Sequence, residues 1–184
     1  MELFLVILLI VAVAGAILFY NGLVRKRNTV DEALAQIEVQ LKRRHDLVPN
    51  LVAAVRDYMS FEQDVLTKVT EARANAVAAG AKGVAEQSAA ENQLTGALRS
   101  LFAVAENYPT LKANENVLSL QEQLTTTENQ ISFARQYYNS SVLEFNTSIQ
   151  TFPGNIVAGS FGFSKRDFFE AEPEADQVPT VALR

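Results

Sequence analysis

His45 is the only histidine in the chain, and it stands between Arg43-Arg44 and Asp46. An imidazole in such company can serve as a general base or a metal ligand. A zinc centre needs about three protein ligands, however, and the chain has no cysteine and no second histidine. Glu62, Glu91 and Glu128 fall on or beside helical seams. Inward glutamates of this kind hold two metal ions in carboxylate-bridged bundles, but those sites also need Glu-x-x-His on two helices, and the sequence has no such pair. The other chemistry open to these acids is structural. Arg44, Arg99 or Arg135 can neutralise them inside a bundle and fix the helix register. No nucleophile, base and orienting group come together. The residues therefore predict a protein that is not an enzyme, with no catalytic residue, no cofactor and no metal.

The elements that would position these side chains are helical. Val30, Leu34, Ile37, Leu41, Val48, Leu51, Val55, Tyr58, Val65, Val69, Ala72, Ala76 and Ala79 recur in steps of four and three. That spacing belongs to helices packed nearly parallel or antiparallel, as in a coiled coil. Arg44 and Glu62 interrupt the seam, and Gly80 and Gly83 end it in a turn. A further helix is predicted over 84–106, with the seam Gln87, Glu91, Leu94, Leu98, Leu101 and Ala105. Another is predicted over 115–150, with the seam Val117, Leu120, Leu124, Thr127, Ile131, Ala134, Tyr138, Val142, Phe145 and Ile149. Pro49 leaves two readings open. Asp46 caps a new helix with Pro49 in its first turn, or one long helix kinks there at a cost of about 3 kcal/mol.

Leu3 to Phe19 is an unbroken apolar run. As a helix it spans about 26 Å, near the roughly 30 Å of a hydrocarbon core. A cleavable signal peptide is disfavoured, because Glu2 stands where such peptides carry a base. Tyr20 suits the membrane interface, and Arg25, Lys26 and Arg27 follow at headgroup depth. The asymmetry between these bases and Glu2 predicts a single-pass membrane protein, N-terminus out, with its C-terminal domain in the cytoplasm.

The expected organisation is a transmembrane anchor at 1–21, a helical bundle at 22–150 and a tail at 151–184. The fold class is all-α: the anchor, then an up-and-down four-helix bundle whose first two helices form either one kinked rod or two pieces. About 160 residues beyond the anchor suffice for a core without disulfide or metal staples. A net charge of −5, mixed along the chain, excludes the basic face of a nucleic-acid binder. The tail is rich in Phe up to Phe169, which predicts packing against the bundle. It then turns acidic at Glu170, Glu172, Glu174 and Asp176.

Several stretches together resemble the LemA family. They are Tyr20-Asn21-Gly22-Leu23-Val24, Gln40-Leu41-Lys42-Arg43-Arg44, Asp46-Leu47-Val48-Pro49-Asn50-Leu51-Val52, Ala105-Glu106-Asn107-Tyr108-Pro109, Tyr137-Tyr138-Asn139, Phe145-Asn146-Thr147 and Phe161-Gly162-Phe163. The resemblance covers nearly all of the chain after the anchor. One departure is Leu34, where the family often has Trp. The resemblance implies a membrane helix followed by a four-helix bundle, a place in the bacterial envelope, sometimes alongside membrane metalloproteases, and no catalytic residue to carry over.

Two functions fit. One is a membrane-anchored scaffold that self-assembles. The other is an accessory partner of a membrane-bound protease or other envelope enzyme. The expected partners are the lipid bilayer, further copies of the chain and a membrane protein, with no nucleic acid. The segment after Pro49 is apolar over more than half its circumference, which marks Phe61 and Leu66 as interaction residues. The bases Lys42, Arg43 and Arg44 are candidates for a solvated face or a subunit contact.

Overall fold

A computed structural model of the chain describes residues 1–59 and 61–169; the acidic residues from Glu170 onward lie outside them. The described residues form helices and no strand: α1 Glu2–Arg56, α2 Gln63–Ala79, α3 Val84–Ala105, α4 Pro109–Lys112, α5 Glu115–Gln150 and α6 Gly154–Phe161. The all-α expectation holds. The chain divides into two units that share α1 and α5. The first comprises residues 1–38 and 133–168, and the second comprises residues 39–132 with Phe169.

In the second unit, four helical segments supply one core. Val48, Leu51, Val52 and Val55 come from α1, Leu66, Val69 and Ala76 from α2, Leu94, Leu98 and Leu101 from α3, and Val117 and Leu124 from α5. The heptad-like spacing of these residues keeps one face of each helix turned inward. Asn114 starts α5 as a cap: its Oδ1 accepts the backbone N–H of Asn116 at 3.0 Å and of Val117 at 3.2 Å. These are among the backbone donors a helix start leaves without partners.

Of the two readings at Pro49 the structure takes the single long helix, since α1 runs through it to Arg56 and no new helix starts there. Proline has no N–H for the carbonyl four residues back, here that of His45. Arg73 Nε donates to that carbonyl at 2.7 Å, so a side chain of α2 replaces the missing backbone donor. The expected continuous seam does break, but further on, between the end of α1 at Arg56 and the start of α2 at Gln63. There Met59 is fully buried and Tyr58 is turned outward. The turn at 80–83 appears where the glycines predict it, between α2 and α3.

The first unit holds the N-terminal half of α1, the C-terminal half of α5, and α6. Leu23, Val30, Ala33 and Ile37 are buried, as are Tyr138, Val142, Phe145, Ile149 and Val157. No break separates residues 1–21 from the rest of α1. The Phe-rich stretch packs only in part: Phe169 is buried, whereas Phe152, Phe161 and Phe168 stay exposed. Asn146 Nδ2 donates to the Arg166 carbonyl at 2.8 Å, and its Oδ1 accepts the Arg166 N–H at 2.9 Å. The Tyr138 hydroxyl donates to the Asp167 carbonyl at 2.9 Å. Helix α6 is not foreseen by periodicity. Gly154 starts it because any Cβ there would meet the Ser148 carbonyl oxygen. Gly162 ends it at φ 72°, in the left-handed region that glycine enters without strain.

Candidate functional site

Arg44, which interrupts the apolar seam, carries a polar cluster in the second unit. Its side chain is fully buried. The Nη1 group donates to Thr95 Oγ1 at 2.9 Å and to Glu128 Oε2 at 2.5 Å. The Nη2 group donates to Glu91 Oε2. The other Glu91 oxygen, Oε1, accepts from His45 Nε2 at 2.8 Å. Three helices meet on one guanidinium: α1 brings the cation, and α3 and α5 bring the anions. Arg44 sits on the inward stripe of α1, and Glu91 and Glu128 take facing positions on theirs. Thr95 lies one turn beyond Glu91 and was missed in sequence, where a threonine four residues after a glutamate carries little signal.

Burial by itself pushes the Glu91 carboxyl up. The hydrogen bond from His45 and the charge and hydrogen bond of Arg44 outweigh it, and hold the group below its ordinary value. Opposite charge and donated hydrogen bonds both favour the ionised form. Nearby, Asp46 is also held low, chiefly by the hydrogen bond from Lys42. That pair lies on the exposed face of α1, at 2.8 Å. A cleft of about 270 Å³ opens beside the cluster, between Arg44, Leu98, Phe102 and Leu124.

The cluster is built to hold position. The guanidinium fork spends its terminal nitrogens on fixed acceptors, and both Glu91 oxygens have donors, so the balancing cation for these carboxylates is Arg44. Among the described residues, no group of three or more His, Cys, Asp or Glu is placed to hold a metal ion.

The other sequence-marked residues are scattered. Lys42 and Arg43 are exposed, but Arg44 is not part of a solvated basic face, because the seam carries it inward. Leu66 is buried in the core of the second unit, so it offers no surface; the apolar flank with Val52 and Met59 is absorbed within the fold. Phe61 is 92% exposed. Glu62 accepts from the Tyr108 hydroxyl at 3.2 Å. Burial first, then that bond, pushes the hydroxyl's pKa up. In the first unit, Tyr20 packs on Phe161 and Phe163, with ring centroids 4.8 and 5.8 Å away. Lys26 Nζ bonds Ser148 at 2.7 Å and Glu144 at 3.0 Å. Arg27 stands over the Phe163 ring, and Arg25 is exposed. The Lys26–Glu144 pair and the Arg166–Asp31 pair at 2.8 Å join residues too distant in sequence for spacing to reveal.

Comparison with known proteins adds to this geometry. The model of the LemA family matches residues 33–183. "Protein LemA" of Metamycoplasma hominis is 29% identical over 89% of the chain and 75% of its own length. "Magnetosome protein MamQ 2" of Paramagnetospirillum magneticum is 26% identical over 89% of the chain and 69% of its own. "Magnetosome protein MamQ" of Magnetospirillum gryphiswaldense is 24% identical over 93% and 72%.

Proposed function

The chain belongs to the LemA family, and from that premise we propose that it is a membrane-anchored helical scaffold of the bacterial envelope. It self-assembles and has no catalytic activity. The observation that carries this reading is the N-terminal part of α1. It is long and apolar enough to cross a membrane, and none of its most apolar window is buried. Large side chains from Leu3 to Ile10 are exposed, and such a surface is stable only when lipid covers it.

The domain after Tyr20 lies on the cytoplasmic side of the inner membrane, because Arg25, Lys26 and Arg27 follow the span while Glu2 precedes it. Ser100 and Ser119 are exposed and the chain has no native cysteine. Ser100→Cys and Ser119→Cys proteins in intact cells are expected to resist a membrane-impermeant maleimide until the inner membrane is opened. Labelling once only the outer barrier is permeabilised would reverse the orientation.

Self-assembly is supported by exposed aromatic side chains in each unit: Phe61 in the second, and Phe133 with Tyr137, one turn apart on α5, in the first. Exposed apolar groups of this size favour protein contacts, and tethering in a plane raises their local concentration. Mass photometry of the full chain in mild detergent is expected to show oligomers that Phe61→Lys or Phe133→Lys shifts toward monomer. A monomer at every concentration would remove the scaffold reading. A stoichiometric second protein would replace it with the accessory role.

A further inference from the structure

The first unit holds a second apolar surface besides the span itself. Between Glu144 and Lys165 the chain contains no Asp, Glu, Lys or Arg, and this stretch carries α6. One side of α6 is packed inward through Gly154, Val157 and Ala158. The other side leaves large apolar groups in the open: Phe152 is 80% exposed, Ile156 60% and Phe161 62%. For a water-facing surface that is an unfavourable arrangement, because each group orders or displaces water without compensation.

Their position is beside the apolar run of α1. The Phe161 ring lies against Tyr20, where the apolar run of α1 ends. A cleft of about 490 Å³ between the two segments is lined by Leu18, Phe19 and Leu23 from α1 and by Phe152 and Gly154 from the other side, with Lys26 at its edge. The exposed face of α6 is thus continuous with the exposed face of the span. Charge then begins on both segments: Arg25, Lys26 and Arg27 on α1, and Lys165 and Arg166 after α6, with Lys26 paired to Glu144 and Arg166 to Asp31. Arg25 lies about 8 Å along the helix from Tyr20. Apolar groups, then an aromatic ring, then bases is the order that a bilayer presents from acyl chains to phosphates.

We propose that Phe152 and α6 form a second membrane contact, lying in the interface with Phe152, Ile156 and Phe161 among the upper acyl chains and the bases at the phosphates. This rests on the reading of α1 as a membrane span and adds to it. A single tethering helix would leave the first unit free to tilt. Two contacts, one spanning and one interfacial, fix its angle to the bilayer, as short amphipathic segments do in peripheral proteins.

The chain has no tryptophan, so one introduced indole reports only on its own site. Full-length Leu9→Trp, Phe152→Trp, Ile156→Trp, Phe161→Trp and Phe133→Trp proteins are each reconstituted into phosphatidylcholine–phosphatidylglycerol vesicles, with and without acyl-brominated phosphatidylcholine. Phe133 is the reference, about 25 Å along α5 from its C-terminal end. The expected result is blue-shifted emission and strong bromine quenching at 9, 152, 156 and 161, and no quenching at 133. Quenching at Leu9→Trp without quenching at 152, 156 and 161 would overturn the second contact and leave the span standing. Blue-shifted but unquenched emission at those three would overturn it too, since protein would then cover the face. No quenching at Leu9→Trp would remove the spanning reading and the second contact with it. Phe152, which precedes α6, keeps the test available if a substitution within the helix disturbs folding.

Discussion

Arg44→Ala is expected to lower the unfolding free energy of the second unit by about 3–5 kcal/mol, the range for breaking a buried ion pair from one side. The lost attraction is the smaller part of that cost. Removing the guanidinium takes one donor from Glu91, which is fully buried and still accepts from His45, and one each from Thr95 and Glu128. Arg44→Lys is expected to recover only part of the loss, because an ammonium cannot reproduce a planar fork that reaches two carboxylates. Lys42→Ala, which breaks an exposed pair on the same helix, is expected to leave the denaturation midpoint nearly unchanged. Far-ultraviolet circular dichroism of the full chain in detergent, titrated with urea, reads all three. A parental midpoint in Arg44→Ala would show that the cluster contributes nothing.

The same cluster sets a pH dependence. Glu91 in the folded chain is held below its ordinary value of 4.5. Below that value, and down to the depressed one, the unfolded chain binds more protons than the folded chain. Stability therefore rises with pH through that window. The contribution is fully present above about 4.5, and it is lost as acid takes the pH down through the folded value. In Arg44→Ala the burial that pushes Glu91 up is opposed by one cation fewer, so the loss on acidification is expected to shrink. An equally steep acid loss in the variant would place its origin at other carboxylates.

Much of this was legible in the sequence, because helical periodicity is a local signal. Nine of the ten seam residues foretold for α5, from Val117 to Ile149, are buried, and Leu120 is partly so. The inward arginine and its facing acids were legible for the same reason, as interruptions of an apolar stripe. What periodicity could not show depends on contacts between distant parts of the chain. Whether a helix passes through Pro49 turns on a donor for the His45 carbonyl, and that donor is Arg73, on the next helix. Leu66 looked like spare surface because a flank of one helix reads the same whether water or another helix covers it. The short α6 is too brief for a period to register, and its start depends on the close approach of Gly154 to Ser148.

Leu51→Asp is expected to be costlier than the loss of Arg44, although the two residues share a heptad position on α1. At Arg44 the fold supplies two carboxylates. At Leu51 it supplies Val48, Val55, Leu101 and Leu111 within one apolar core. The adjoining cavity is about 120 Å³ and its lining includes Glu106, a charge of the same sign. A carboxylate placed there gains no cation, so the folded state would hold it protonated. Keeping an aspartic acid neutral at pH 7 costs about 4 kcal/mol, and the lost burial of leucine adds about 1.5–3 kcal/mol. The sum approaches the whole stability of a typical domain, about 5–15 kcal/mol. The pH response then runs opposite to that of Glu91. Above the ordinary aspartate range the folded variant keeps a proton that the unfolded chain has released, so stability is greatest in acid and falls by about 1.4 kcal/mol for each pH unit as pH rises. Compared in weak acid and at neutrality, the urea midpoint of Leu51→Asp should fall further below its parent's as pH rises. If the variant instead gained stability with rising pH, or matched its parent at neutrality, position 51 would have to reach water.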